Sequence, residues 1–257
     1  MMLETLIRSN IYKGNTELLY LSDSKVASAT ATVTAIHGNW VSFDKTIFCP
    51  HSHEYLHPQP GDDGHIEVKG ITIPVTALVL QGGEILHELK GSIPPKGIDV
   101  SMKLTWHYRL KSMKLHTAMH ILIGALKEHF NSDPLVGNHK TEIMDGFGQV
   151  YVPQELHSDM VLKKLERSVN QIIQSNKSVT TSYINHSDIS KYEWLEEPRI
   201  KKINGKQDIR MVTIASCGST LCDGTFVDNT GEIDGRFTIT TIEAKKSGTK
   251  IIFQIET

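Results

Sequence analysis

Between residues 106 and 130 the apolar positions recur at helical spacing. Leu115, Ala118, Met119, Leu122, Ala125 and Leu126 fall on one stripe of a helix that starts near Trp106 and runs to about Phe130. The stretch from Asn131 to Pro134 stops it, because proline disfavours helix at the residue before it. His116 and His120 sit roughly 140° from the middle of the stripe, off its core face. Four residues at about 100° each return nearly a full turn, so both imidazoles point the same way.

Upstream, residues 20–100 switch to short β-branched runs with frequent turn residues. Residues 30–36 and 40–48 read as a hairpin around His37-Gly-Asn39, followed by strands over 64–70, 71–80 and 84–89. Pro74 places its strand at an edge or a bulge. Short strands at this density predict a small barrel or closed sheet. Residues 91–97 have the composition of a linker, and a further strand over 99–104 is expected at the junction.

Downstream, residues 137–148 read as a loop with a hairpin turn at Asp145-Gly146. Ser158-Asp159 opens a second helix, whose apolar face is Val161, Leu162, Leu165, Val169, Ile172 and Ile173. Its Lys163, Lys164 and Arg167 lie largely opposite that face, as a solvated surface does. A strand over 179–184, a short helix over 188–196 and a charged hairpin tip over 201–206 follow. A strand over 209–215 then leads into a Gly-rich turn over 216–226, and strands over 236–243 and 249–255 close the chain. The expected class is α+β: an N-terminal β-barrel domain over 1–98, then an α+β domain over 99–257 with an antiparallel sheet and packed helices.

Composition narrows the function classes. With 257 residues, 39% hydrophobic and 22% charged, the chain can bury a sizeable core as a soluble globular protein. Its 27 Lys plus Arg against 29 Asp plus Glu give no global positive field, so a nucleic acid would have to be held by local patches. No run approaches the ~18 apolar residues of a transmembrane helix, and the early acid in Met-Met-Leu-Glu argues against a signal peptide. Three cysteines, Cys49, Cys217 and Cys222, fit a reducing, cytoplasmic setting and no disulfide framework. A monomer or homodimer is expected.

Two imidazoles and one thiolate suit zinc, so Cys222 in the Gly-rich turn gives the His116–His120 pair its chemical interest. The plainer alternatives are two polar positions on a half-exposed helix and a small buried residue at a strand end. The stretch from Trp106 to Leu122, ending in His-Thr-Ala-Met-His-Ile-Leu, resembles the helix of the alanyl-tRNA synthetase editing domain and its free-standing AlaX-type trans-editing relatives. Phe43-Asp-Lys-Thr-Ile-Phe48 and Gln59-Pro-Gly-Asp-Asp-Gly64 are similar to that family's barrel signature. Cys222-Asp-Gly-Thr-Phe-Val227, continuing to Thr-Gly-Glu-Ile-Asp234, resembles its second metal motif, normally Cys-Gly-Gly-Thr-His-Val followed by Thr-Gly-Glu-Ile-Gly. The threonyl-tRNA synthetase editing domain shares the two metal motifs.

The resemblance implies an ATP-independent hydrolase that deacylates alanine tRNA wrongly charged with serine or glycine, with His116, His120 and Cys222 as zinc ligands. The family's fourth ligand position is Phe226 here, and its Gly-Gly-Gly-Gln stretch is replaced by residues 49–59, although Gln59 still aligns. Three outcomes stay open: a coordination site left to water, completion by Cys217, His51, His53 or His57, or a non-catalytic tRNA- or protein-binding relative. Thr117 is expected either to sense the serine hydroxyl or to bond back to its i−4 carbonyl. Asp223 and Thr225 are expected to line the pocket. Arg109, Lys111 and Lys114 are the candidate contacts to the tRNA acceptor end.

Overall fold

A computed structural model of the chain describes residues 16–51, 57–81, 84–131, 141–156, 158–185, 187–188 and 208–256. Its contacts group into two compact units, one of residues 1–52 with 60–109 and the other of 53–59 with 110–257. Most of the helix expected over 188–196, the charged tip at 201–206 and the start of the chain lie outside the described residues.

The first unit holds β1 (Glu17–Leu18), α1 (Leu19–Ser22), β2 (Ser28–His37), β3 (Trp40–Phe43), β4 (Lys45–Thr46), β5 (Gly64–Val68), β6 (Ile71–Gln81), β7 (Glu84–Leu89) and β8 (Asp99–Leu104). Six of these close a barrel in the order β2-β3-β7-β6-β5-β8, with every pairing antiparallel. The strand expected at the junction, β8, is therefore the stave that joins β2 to β5. Alternation decides which way the side chains face. In β2, Ala31 and Val33 turn into the barrel, where they meet Val41, Phe43, Ile66, Ile73, Val100 and Met102. Pro74 sits next to a register shift between Val75 and Ala77, where a missing N–H is tolerated. Lys69 and Gly70 both take positive φ, +49° and +79°, as a two-residue turn from β5 to β6 requires.

The second unit takes most of α2 (Trp106–Phe130), then β9 (Thr141–Ile143), β10 (Gly148–Val152), α3 (Asp159–Gln174), β11 (Val179–Asn185), β12 (Asp208–Ile214), β13 (Gly218–Leu221), a 3₁₀ turn (Thr230–Ile233), β14 (Arg236–Lys245) and β15 (Gly248–Glu256). One sheet runs β14-β15-β10-β9 and another β11-β12-β13, both antiparallel. Asp145-Gly146 does form the turn between β9 and β10, with Met144 N–H bonded to the Phe147 carbonyl. The apolar stripe of α2 and the buried Leu165, Val169 and Ile173 of α3 pack with Val150, Phe237, Ile251 and Phe253 of the larger sheet. Asn170 fastens α3 to β14 by giving and receiving one hydrogen bond each with the Phe237 backbone, both 2.9 Å. Gly148 is obligatory in this layer, since a Cβ there would lie 2.1 Å from the Phe253 ring. No helix of the described residues is long and apolar enough to cross a membrane.

Candidate metal centre

Helix α2 is not half-exposed. From Ser112 to Leu126 nearly every residue is buried, His116 and His120 included, so a covered polar face lies alongside the apolar stripe. The β12–β13 hairpin delivers Cys222 to that face, one residue after β13 ends. The donor atoms of His116, His120 and Cys222 lie within 4.8 Å of one another, and all three residues are buried. Cys222 Sγ is 3.3 Å from His116 Nε2. The two rings stack with centroids 5.1 Å apart and planes 23° from parallel. Residues over a hundred positions apart in sequence therefore form one donor set.

Gln59 decides how His116 presents itself. Its Oε1 accepts the Thr225 backbone N–H at 2.8 Å, and its Nε2 donates to Thr225 Oγ1 at 3.0 Å. A backbone N–H only donates, which fixes the oxygen end of the amide. That same Oε1 lies 2.9 Å from His116 Nδ1, so Nδ1 must carry the proton and Nε2 keeps its lone pair facing the thiol. Burial, followed by the neighbouring His120 and Arg210, holds the His116 pKa well below its ordinary value. A neutral imidazole with Nε2 bare is the form that binds a metal, so the donor set fits a borderline-soft divalent ion such as zinc.

The backbone is shaped to this clamp. A Cβ on Gly224 would lie 2.1 Å from His116 Cε1 and 2.8 Å from Gln59 Oε1. Arg210 pins the same turn, its Nη1 donating to the Cys222 carbonyl at 2.9 Å and the Gly224 carbonyl at 2.7 Å. Phe226 is buried against the cluster, its ring centroid 4.5 Å from that of His116 and 5.1 Å from that of His120. Cys217 stands outside the three-residue donor set and packs on Gly124. Burial, and then Glu128, push its thiol up to about 11, so it stays protonated. With His120 it lines a cavity whose wall also includes Gly124, Lys127, Val212 and Ser219.

The other sequence candidates separate by environment. Thr117 Oγ1 donates to the Met113 carbonyl at 2.9 Å and accepts the Val227 N–H at 3.3 Å, so the hydroxyl joins the helix to the turn. Thr225 is buried in the Gln59 clamp, and Asp223 is half-buried beside it. Arg109 departs from the expected phosphate contact. It is 1% exposed, forms a bidentate pair with Asp62 at 2.8 and 2.5 Å, and donates to the Ser24 and Ile47 carbonyls. A guanidinium so buried, with four of its five N–H groups committed, stabilises the barrel unit and does not present itself to RNA. Lys111 is exposed and paired with Asp145 at 2.7 Å, and Lys114 is half-buried. The role of Arg210 had no signal in spacing or composition, whereas His57 was among the residues expected to complete the donor set. Gln59 had one, its place before Pro60-Gly61 in the barrel signature.

Fold and donor set together define the class. Residues 209–252, spanning β12 to β15, match the family described as threonyl and alanyl tRNA synthetase second additional domain. The chain is 32% identical over 200 residues to the alanyl-tRNA editing protein AlaX-L of Pyrococcus horikoshii, covering 75% of this chain and 45% of that one. It is 27% identical over 234 residues to an alanine–tRNA ligase of Thermococcus kodakarensis, covering 85% of this chain and 23% of that one. For the alanine–tRNA ligase of Thermoplasma acidophilum the identity is 28% over 230 residues, covering 89% and 25%. The chain belongs to the AlaX-type editing family that its motifs resemble, and it spans less than half the length of these relatives.

Proposed function

We propose that this protein is a zinc-dependent aminoacyl-tRNA hydrolase that acts in trans on alanine tRNA charged with serine or glycine. The observation that carries the proposal is the convergence of His116, His120 and Cys222, with the His116 tautomer set by Gln59. Water adds to the ester carbonyl and the bond to the ribose oxygen breaks. The proton passes to that oxygen, leaving free amino acid and uncharged tRNA. The aminoacyl ester is intrinsically labile, so positioning and charge stabilisation suffice without a covalent nucleophile. His116 Nε2, His120 and Cys222 Sγ would hold zinc, which when bound supplies Lewis acidity to a carbonyl or a water.

The chain's own groups then divide the work. Thr117 holds the Val227 backbone against α2 and so keeps the Cys222 turn in place. Thr225 completes the Gln59 clamp, and the Asp223 carboxylate suits the substrate's protonated amino group. Lys111 and Lys114, which precede the histidines on α2, are the candidate contacts to phosphates of the acceptor end, while the buried Arg109 supports the barrel. Serine release from mischarged alanine tRNA, with Cys222→Ala as the control, tests the proposal. The intact protein is expected to be faster by a factor of about ten or more, as for other ligand-shell losses. Equal rates end it, and parallel assays with other mischarged tRNAs define the substrate.

One observation favours a second reading. Phe226 packs on both imidazoles where the family places a ligand, which suits an editing fold kept as a tRNA- or protein-binding module. Substoichiometric zinc in protein purified without added metal, together with retained tRNA binding, selects this alternative.

A further inference from the structure

Position 226 carries no ligand atom, yet another imidazole has reached the cluster from a distant part of the sequence. His57 is 4% exposed and sets its ring edge-on to His120, with centroids 4.7 Å apart and planes at 81°. A buried histidine edge-on to another is often only packing. Two features argue for more. His57 Nδ1 lies 2.5 Å from Thr141 Oγ1, which fixes the ring's pivot and leaves binding of a cation to Nε2. Two residues on, Gln59 is bonded to His116 and Thr225, so segment 57–59 meets the donor set at both of its ends. This stretch stands where the resembled family has Gly-Gly-Gly-Gln, and Phe226 stands at that family's fourth ligand position.

Zinc is four-coordinate at rest and expands to five when a substrate oxygen arrives, so a fourth side chain beside the three donors already assembled still leaves its Lewis acidity within reach. We propose that His57 is the fourth zinc-binding side chain of this centre, replacing the ligand that Phe226 cannot supply. His57 stands outside the group of three whose donor atoms lie within 4.8 Å, so metal binding turns its ring inward about the side-chain bonds. The proposal rests on the metal site of the preceding subsection.

The test measures zinc affinity by chelator competition and counts imidazoles by X-ray absorption at the zinc edge. It uses the full chain as wild type, His57→Ala, and the double variant His57→Ala/Phe226→His. Wild type is expected to show one sulfur and three imidazoles. His57→Ala should lose one imidazole and bind zinc at least about tenfold more weakly. The double variant should recover the count and most of the affinity, which a fold merely damaged by His57→Ala would not do. A wild-type site of one sulfur and two imidazoles, with affinity unchanged in His57→Ala, overturns the proposal while leaving the metal site intact. A wild type that binds no zinc overturns both.

Discussion

Gln59 carries more of the site than its chemistry advertises, because one amide oxygen accepts from two segments at once. Replacing it with leucine removes the acceptor that holds the proton on His116 Nδ1 and frees the ring to adopt the wrong tautomer. Chelator competition should then give zinc binding weaker by about 10- to 100-fold, the usual cost of losing such a partner. Gln59→Glu, which keeps an acceptor at that position, should lose less. At Gly224 the constraint is volume. Alanine there puts a methyl group 2.1 Å from His116 Cε1, so the turn or the imidazole must move. Gly224→Ala should lower stability by roughly 1–3 kcal/mol in urea unfolding and weaken zinc in the same protein, as overpacking does.

At the scale of elements, helix α2 was legible down to its ends, and its apolar stripe is the one that meets the larger sheet. Leu122 is fully buried there, and Leu122→Ala is expected to cost about 2–5 kcal/mol by urea denaturation. What periodicity could not convey is that the opposite side of α2 is also covered. On that side lie Gln59 and the turn after β13, which is brought there by a four-residue strand that reads as part of a Gly-rich turn and pairs with β12 only once the chain has folded. The strands β9 and β10 were hidden for a related reason: β9 is three residues long and pairs with β10, and β10 in turn pairs with the distant β15, so neither is set by local pattern. The first hairpin of the barrel was readable because His37-Gly-Asn39 announces its turn, whereas Lys69-Gly70, read as the end of a strand, is the turn from β5 to β6. Pro74 announced its bulge, whereas the closing role of β8 depended on partners far away in sequence. The donor set was legible as a motif, since His-x3-His fixes one side and the Cys222 motif the other. The clamp of Gln59, the pinning by Arg210 and the approach of His57 are tertiary facts with no period to betray them.

At the scale of the whole molecule, buried histidines set a pH dependence. His87 lies inside the barrel, with Nε2 2.8 Å from Thr46 Oγ1 and Nδ1 3.3 Å from the Val41 carbonyl. Burial pulls its pKa down to about 4, and backbone hydrogen bonds offset this only in part. With the folded pKa below the unfolded value of about 6.5, the unfolded chain binds the proton first. Stability is therefore unaffected above pH 6.5, falls as pH drops from about 6.5 to 4, and levels off below. The loss from this one group is about 3 kcal/mol. His116 shifts in the same direction and adds to it in metal-free protein. Urea midpoints measured between pH 7 and 4 should fall steeply for the natural protein and less steeply for His87→Gln.

The proposed function rests on one ion that side chains from α2 and from the turn after β13 would bind. Diffraction data from crystals grown with zinc, collected on either side of the zinc absorption edge, test this most directly. The account predicts a single strong anomalous peak about 2.3 Å from Cys222 Sγ and about 2.0–2.1 Å from a nitrogen of each of His116 and His120. An anomalous map with no peak between these three residues, or with zinc bound only elsewhere on the molecule, would contradict it.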